Sequence, residues 1–138
     1  MNFTKNILIT GGAGFIGSHL VRLMVNKYPD YRIINFDVLT YAGNLENLRD
    51  IQGASNYVFV KGDICSVDDI ESVFKEYHIS HIVHLAARTD LDGSSLDDYK
   101  ANTVGVSNLI EAICAVDSVI KTIFASSMLV CKAGYKPV

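Results

Sequence analysis

A glycine-rich turn set between a strand and a helix limits this chain more than any other feature. Thr10-Gly11-Gly12-Ala13-Gly14-Phe15-Ile16-Gly17 follows the apolar run Ile7-Leu8-Ile9 and leads into a stretch with helical apolar spacing. It satisfies G-x-G-x-x-G through Gly12, Gly14 and Gly17, and G-x-x-G-x-x-G when Gly11 is included. The turn needs unusual backbone angles, a Cβ would hold a pyrophosphate away from the main chain, and the last glycine lets the helix pack close on the strand. The first helical N–H groups, at Phe15 and Ile16, then face the anion from the positive end of the helix dipole. A glycine-rich turn with no ligand could carry the same letters, so the setting decides. Here Asp37 closes the next strand-like run twenty positions after Gly17, which is where a dinucleotide site places the acid that accepts the ribose hydroxyls. A 2′-phosphate would meet a like charge at Asp37, and Val38 rather than an arginine follows it. The residues therefore favour NAD over NADP, with a simple turn cap as the alternative role of Asp37.

The rest of the chain repeats the strand–helix rhythm. Residues 6–10, 32–37, 57–60, 81–85 and 121–126 read as strands, while Phe15–Lys27, a segment near Val67–Tyr77 and residues 95–116 read as helices. Residues 43–51 read as a short polar connection. The helix assignments rest on apolar spacing: Ile16, Leu20, Leu23 and Met24; Ile70, Val73, Phe74 and Tyr77; Val106, Leu109, Ile110 and Ile113. Ser66 followed by Asp68 and Asp69 marks the start of the second helix, a cap and two acids at the positive dipole end. Apolar strands alternating with helices predict an α/β, doubly wound, Rossmann-like parallel sheet in the order 3-2-1-4-5, because right-handed crossovers leave few other paths. At 138 residues one domain, spanning residues 1–138, is expected.

Composition narrows the partners. A net charge of −3 without a cluster of Lys or Arg argues against a nucleic-acid surface or an anionic membrane, and leaves small molecules. Cys65, Cys114 and Cys131 are odd in number and widely spaced, and are read as core packing in a reducing, cytoplasmic protein. Ile7-Leu8-Ile9 is far too short for a signal peptide or a membrane span. His78, His81 and His84 fall at three-residue steps, but on a strand His81 and His84 point to opposite faces, so no metal site is expected. Asp97-Asp98 reads as favourable charge near a helix start.

Asp37-Val38-Leu39-Thr40-Tyr41-Ala42-Gly43-Asn44 resembles the D-x-L-T-Y-A-G-N stretch of dTDP-glucose 4,6-dehydratases, within the extended short-chain dehydrogenase/reductase family. Gly62-Asp63-Ile64 after residues 57–60, His84-Leu85-Ala86-Ala87, and Ala101-Asn102-Thr103-Val104-Gly105 continue the likeness over nearly the whole chain. The first half resembles nucleotide-sugar dehydratases and their epimerase relatives; the second is general to the wider family. The resemblance implies that Gly11, Gly14, Phe15, Ile16 and Gly17 hold the pyrophosphate. Asp37, Leu39 and Thr40 would lie along the adenosine ribose, Asp63 and Ile64 would hold the adenine, and Leu85, Ala86 and Ala87 would pass near the nicotinamide. Phe124-Ala125-Ser126-Ser127 resembles the end of the fifth strand, where Ser127 would bond the substrate hydroxyl as the catalytic residue.

The likeness also has gaps. In the family a Tyr-x-x-x-Lys pair follows this serine; none follows Ser127 before Val138, and the adjacent Tyr135 and Lys136 have the wrong spacing. Met128-Leu129 stand where dehydratases carry an Asp-Glu pair that moves protons, Val130-Cys131-Lys132 replaces V-Y-G, and residues 88–94 keep only Asp92 and Ser94 of E-S-H-V-D-R-S. The resemblance thus implies the NAD-binding part of a nucleotide-sugar 4,6-dehydratase or 4-epimerase, binding cofactor without turnover in this form. A non-catalytic NAD-binding module and an NADP-linked reductase of the same superfamily stay open. Apolar surface beside the last strand and the helix at residues 95–116 makes a homo-oligomer the expectation.

Overall fold

The computed structural model describes residues 2–90 and 95–127. Five strands form one parallel sheet in the order β3-β2-β1-β4-β5: β1 (Lys5–Thr10), β2 (Tyr31–Asp37), β3 (Tyr57–Lys61), β4 (His81–His84) and β5 (Lys121–Phe124). The predicted order is the observed one. Helix α1 (Phe15–Lys27) connects β1 to β2, α2 (Val67–Tyr77) connects β3 to β4, and α3 (Val104–Cys114) precedes β5. Thr10 pairs with Phe36 on one side and with His84 on the other, and His84 pairs with Phe124, so four strands end in one row. Strand ends differ from the sequence reading by one or two residues, as main-chain pairing rather than apolar content sets them.

Alternation along the strands sends side chains to two cores. Leu8, Ile34, Phe36 and Ile82 pack with Ile70, Val73 and Phe74 of α2 and Leu109 of α3. Ile7, Ile9 and Ile33 pack on the opposite face with Val21 and Val25 of α1, and with Leu48 and Ile51. Those last two belong to a 3-10 helix, Leu45–Ile51, where a polar connection was expected. Its start is fixed by Asn44, whose side chain accepts from Glu46 N at 2.9 Å.

Two helices depart from the apolar-spacing reading. In α1 the buried residues are Gly17, Ser18, Val21 and Val25, while Ile16 is 70% and Leu23 55% exposed. The cause lies at Gly17, where a Cβ would overlap the Gly11 carbonyl oxygen. That close approach fixes the rotation of the helix, and Val21 and Val25, at steps of four, follow Gly17 inward. Leu20 and Met24 are left at the margin of the core.

The single helix expected over residues 95–116 is two: a 3-10 helix, Leu96–Asn102, and α3, with Thr103 at φ −119° and ψ −74° between them. The break coincides with Asn102, whose carboxamide accepts from Arg88 N at 2.8 Å and donates to Arg88 O at 2.9 Å. In α3, Gly105 and Leu109 are buried and Ile110 faces outward. Four residues beyond Ile110, Cys114 is exposed as well, which corrects its reading as core packing. Cys65 does pack against the core, and Cys131 lies outside the described residues. Helix α2 matches its predicted bounds and cap, with the Ser66 side chain accepting from Asp69 N. None of the described helices is long and apolar enough to cross a membrane.

Candidate functional site

The glycines at the end of β1 divide by what surrounds them. Gly11 has φ +70°, and a Cβ there would lie 2.7 Å from Ala86 N. A Cβ at Gly12 would overlap the Asn35 carboxamide, and one at Gly17 the Gly11 carbonyl. These three are required by the protein's own packing. At Gly14 the nearest heavy atom of the described residues is Gly11 O, 3.4 Å from the Cβ position, with no second neighbour within 4 Å. The protein would tolerate a methyl group at Gly14; the open space beside it would be the casualty. Phe15 is 80% exposed, α1 has no acid in its first turn, and among the described residues no side chain caps it. A bare main chain beside an uncapped positive dipole end is what an anion requires.

Asp37 stands at the end of β2, 8% exposed. One carboxylate oxygen accepts from Ala13 N at 2.9 Å and the other from Leu39 N at 2.8 Å. The residue thus acts as a cap between the glycine turn and the loop after β2, and each oxygen keeps a second lone pair for a diol. Leu39 pays for the turn with φ +59°, a left-handed geometry uncommon for a side-chain-bearing residue. The loop closes back on the site: Gly43 N donates to Thr40 O at 3.0 Å, and Asn44 N to Ala13 O at 3.0 Å.

At the end of β3, Asp63 accepts from Cys65 N at 2.8 Å, and its own N–H donates to Asp69 of α2 at 2.9 Å. The Ile64 side chain is buried at 5% exposure and lies against Gly105. Any contact that Ile64 offers a ligand therefore runs through its main chain. Leu85 and Ala86 follow β4 half-buried, and Ala87 is exposed. Ser127 is exposed, three residues after β5. Asp92 and Ser94, Met128-Leu129, Val130-Cys131-Lys132 and Tyr135-Lys136 lie outside the described residues.

Three polar groups at this edge had weak signals in the sequence. Arg88 bonds Asp90 at 2.8 Å and reaches Asp98 at 3.3 Å. Asp98 also accepts from Ser95 N in a capping box at the start of its 3-10 helix, in keeping with its helix-start reading. The Tyr41 hydroxyl donates to Asp90 at 2.6 Å. His84, read as a packing histidine, is 5% exposed, and its Nδ1 lies 2.7 Å from Thr10 Oγ1. Burial pushes its pKa below the ordinary imidazole value. The pairing of strand ends that brings Thr10 to His84 depends on register, which residue order alone does not display. Among the described residues, no group of three or more His, Cys, Asp or Glu is placed to hold a metal ion.

Comparison with known proteins adds the family. Residues 8–130 match the family described as GDP-mannose 4,6 dehydratase. The dTDP-glucose 4,6-dehydratase of Haemophilus influenzae is 44% identical over 109 residues, which are 77% of this chain and 32% of that protein. Among solved structures, dTDP-glucose 4,6-dehydratase from Bacillus anthracis in complex with NAD has a TM-score of 0.78 at 43% identity, covering 88% of this chain and 37% of that one. UDP-glucose 4-epimerase from Thermotoga maritima with UDP-glucose has a TM-score of 0.76 at 34% identity, covering 88% of this chain and 38% of that one. The chain spans about a third of the length of such relatives.

Proposed function

This chain belongs to the GDP-mannose 4,6 dehydratase family, and from that premise we propose that residues 1–138 form the NAD-binding domain of a nucleotide-sugar-modifying enzyme. The observation that carries the reading is Gly14. Its missing side chain is forced by no close neighbour among the described residues but borders an uncapped helix start and a fixed carboxylate at Asp37. A pyrophosphate fits that cradle, with the main chain of Gly11, Gly14, Phe15, Ile16 and Gly17 around it. The second lone pairs of Asp37 take the two ribose hydroxyls, with Leu39 and Thr40 beside them, and repel a 2′-phosphate. Asp63 and the main chain of Ile64 border the adenine, while Leu85, Ala86 and Ala87 line the nicotinamide side. Bound NAD supplies the hydride acceptor for oxidation of the sugar. Ser127 hydrogen-bonds the reacting hydroxyl and orients it.

The reaction class we assign is oxidation of a nucleotide sugar to a keto-sugar, as part of a 4,6-dehydratase. A 4-epimerase is the second reading, favoured by Met128-Leu129, since neither side chain can exchange the proton that water elimination requires. The chain by itself binds cofactor without turnover, because no Tyr-x-x-x-Lys pair follows Ser127 in it; the one such spacing, Tyr57 and Lys61, lies on β3. A natural reading frame that stops at Val138 would instead favour a non-catalytic NAD-binding module. Self-association follows from the apolar surface at β5 and the residue before it, where Ile120 is 77%, Ile123 54% and Phe124 43% exposed. The exposed Cys114 thiol accords with a reducing cytoplasm. Calorimetric titration with NAD and NADP tests the proposal: NAD is expected to bind at least about tenfold more tightly, the scale of one unfavourable charge contact. Absence of NAD binding, or a preference for NADP, would overturn it.

A further inference from the structure

We infer that His84 is a positioning residue for the cofactor crevice: its neutral ring, unprotonated at Nδ1, accepts a hydrogen bond from the Thr10 hydroxyl and so leaves both Thr10 lone pairs to the exit of β4. The inference rests on the proposed NAD site, and it begins with an accounting of one oxygen. Thr10 Oγ1 lies 3.2 Å from Ala86 N and 3.2 Å from Leu85 N, both of which can only donate, and Leu85 N shares its hydrogen with Thr10 O at 3.1 Å. A hydroxyl has two lone pairs and one proton. All three side-chain contacts of Oγ1 are met at once when Thr10 donates and the ring accepts across the 2.7 Å contact to His84 Nδ1. The ring proton of the neutral form then sits on Nε2.

Burial favours the same state, since a charged imidazolium at 5% exposure would lose its hydration. A proton on Nδ1 would present a third donor to an oxygen with two lone pairs. Thr10 Oγ1 would have to release Ala86, or leave Leu85 to Thr10 O alone.

The position of those two residues leaves no slack. Gly11 packs against Ala86 so closely that a Cβ there would sit 2.7 Å from its nitrogen, so the start of the glycine turn and the predicted nicotinamide wall are one rigid contact. The same ring reaches β5. Its centroid is 5.4 Å from that of Phe124 in an edge-on arrangement, and His84 O accepts from Ala125 N at 3.1 Å. His84 is thereby the middle member of the row Thr10–His84–Phe124, from which the chain runs on to Ser127.

Nitrogen NMR of the full 138-residue chain, without cofactor, gives the direct test. The expected spectrum has His84 Nδ1 as an unprotonated, hydrogen-bonded acceptor and Nε2 as the protonated nitrogen. Thr10→Val should move the Nδ1 resonance and speed amide exchange at Ala86 by roughly fivefold, the size of one neutral hydrogen bond, with a smaller change at Leu85, which keeps its bond to Thr10 O, whereas Thr10→Ser should restore both. His84→Phe, which keeps a ring beside Phe124 but cannot accept, should speed the Ala86 amide and weaken NAD binding about fivefold. A proton on Nδ1 in the parent chain, or a Thr10→Ser variant no better than Thr10→Val, would overturn the inference. Because the ring state and the amide exchange are read without NAD, a parent chain that fails to bind NAD would count against the functional proposal and leave these two measurements decisive for the network.

Discussion

Tyr41 donates its hydroxyl to Asp90 at 2.6 Å, joining the loop that leaves β2 to the segment that leaves β4. Since β1 lies between those strands, the bond runs across the end of β1 from which the glycine turn springs. Asp90 is held in place from its other side by Arg88, itself bonded to Asp98. The bond therefore joins the loops on either side of that turn, beside the proposed NAD site. Tyr41→Phe is expected to raise both the association and the dissociation rates of NAD by a few-fold, with a smaller change in Kd. Stopped-flow measurement with NADH fluorescence checks this, and unchanged rates would exclude a gating role.

Gly14 and Gly17 should respond in opposite ways to the same substitution. Gly14→Ala meets one atom at ordinary contact distance, so the fold should keep its Tm within a few degrees and NAD affinity should fall at least about tenfold. In Gly17→Ala the methyl overlaps the Gly11 carbonyl, and α1 must move off the sheet at a cost of about 1–3 kcal/mol. Thermal unfolding read beside calorimetry separates the two outcomes. A Gly14→Ala chain that binds NAD as well as its parent would remove the main support for the crevice.

The contrast shows where sequence reading succeeds. Glycine spacing, strand alternation and Asp37 are local signals, and together they yield the sheet order and the crevice. The rotation of α1 was not legible because apolar counting gives weight to Ile16 and Leu23, whereas the closest contact is made by Gly17, which has no side chain to count. His84 was undervalued for a related reason. Its partner Thr10 is 74 residues away and meets it only through strand register. Tyr41 likewise meets the Arg88–Asp90 pair from a separate loop, and no spacing in the chain announces that contact.

Asp37→Asn probes a residue with two tasks. An amide can offer one acceptor atom, so either Ala13 N or Leu39 N would face an NH2 group in place of an oxygen. A loss of about 1–3 kcal/mol in stability is expected from the unmet main-chain donor. Affinity for NAD should fall, and discrimination against NADP should shrink because the repelling charge is gone. Denaturant unfolding and paired titrations measure the two effects, and discrimination that stays intact would show that another group excludes the 2′-phosphate.

His84 sets the direction of one pH dependence. Burial holds its folded pKa below the ordinary value of 6.5, so the unfolded chain takes up a proton first as acid is added. Stability is complete above about pH 6.5, declines as pH falls below it, and levels off once the folded-state pKa is passed. His81 contributes in the same sense, through burial and then through Lys5 and Lys121. His84→Phe should therefore flatten the decline without abolishing it. Urea unfolding at a series of pH values tests this, and an unaltered slope would mean that His84 binds its proton equally well in the folded and the unfolded chain.

The order β3-β2-β1-β4-β5 has a consequence for how the molecule is made. Domains emerge from the ribosome N-terminus first, and here the first of the five strands to emerge becomes the centre of the sheet. β2 and then β3 extend one flank, after which β4 and then β5 extend the other. Each of β2 to β5 is thus laid against a strand already synthesised, whereas the apolar face of α2 stays open until Leu109 of α3 arrives.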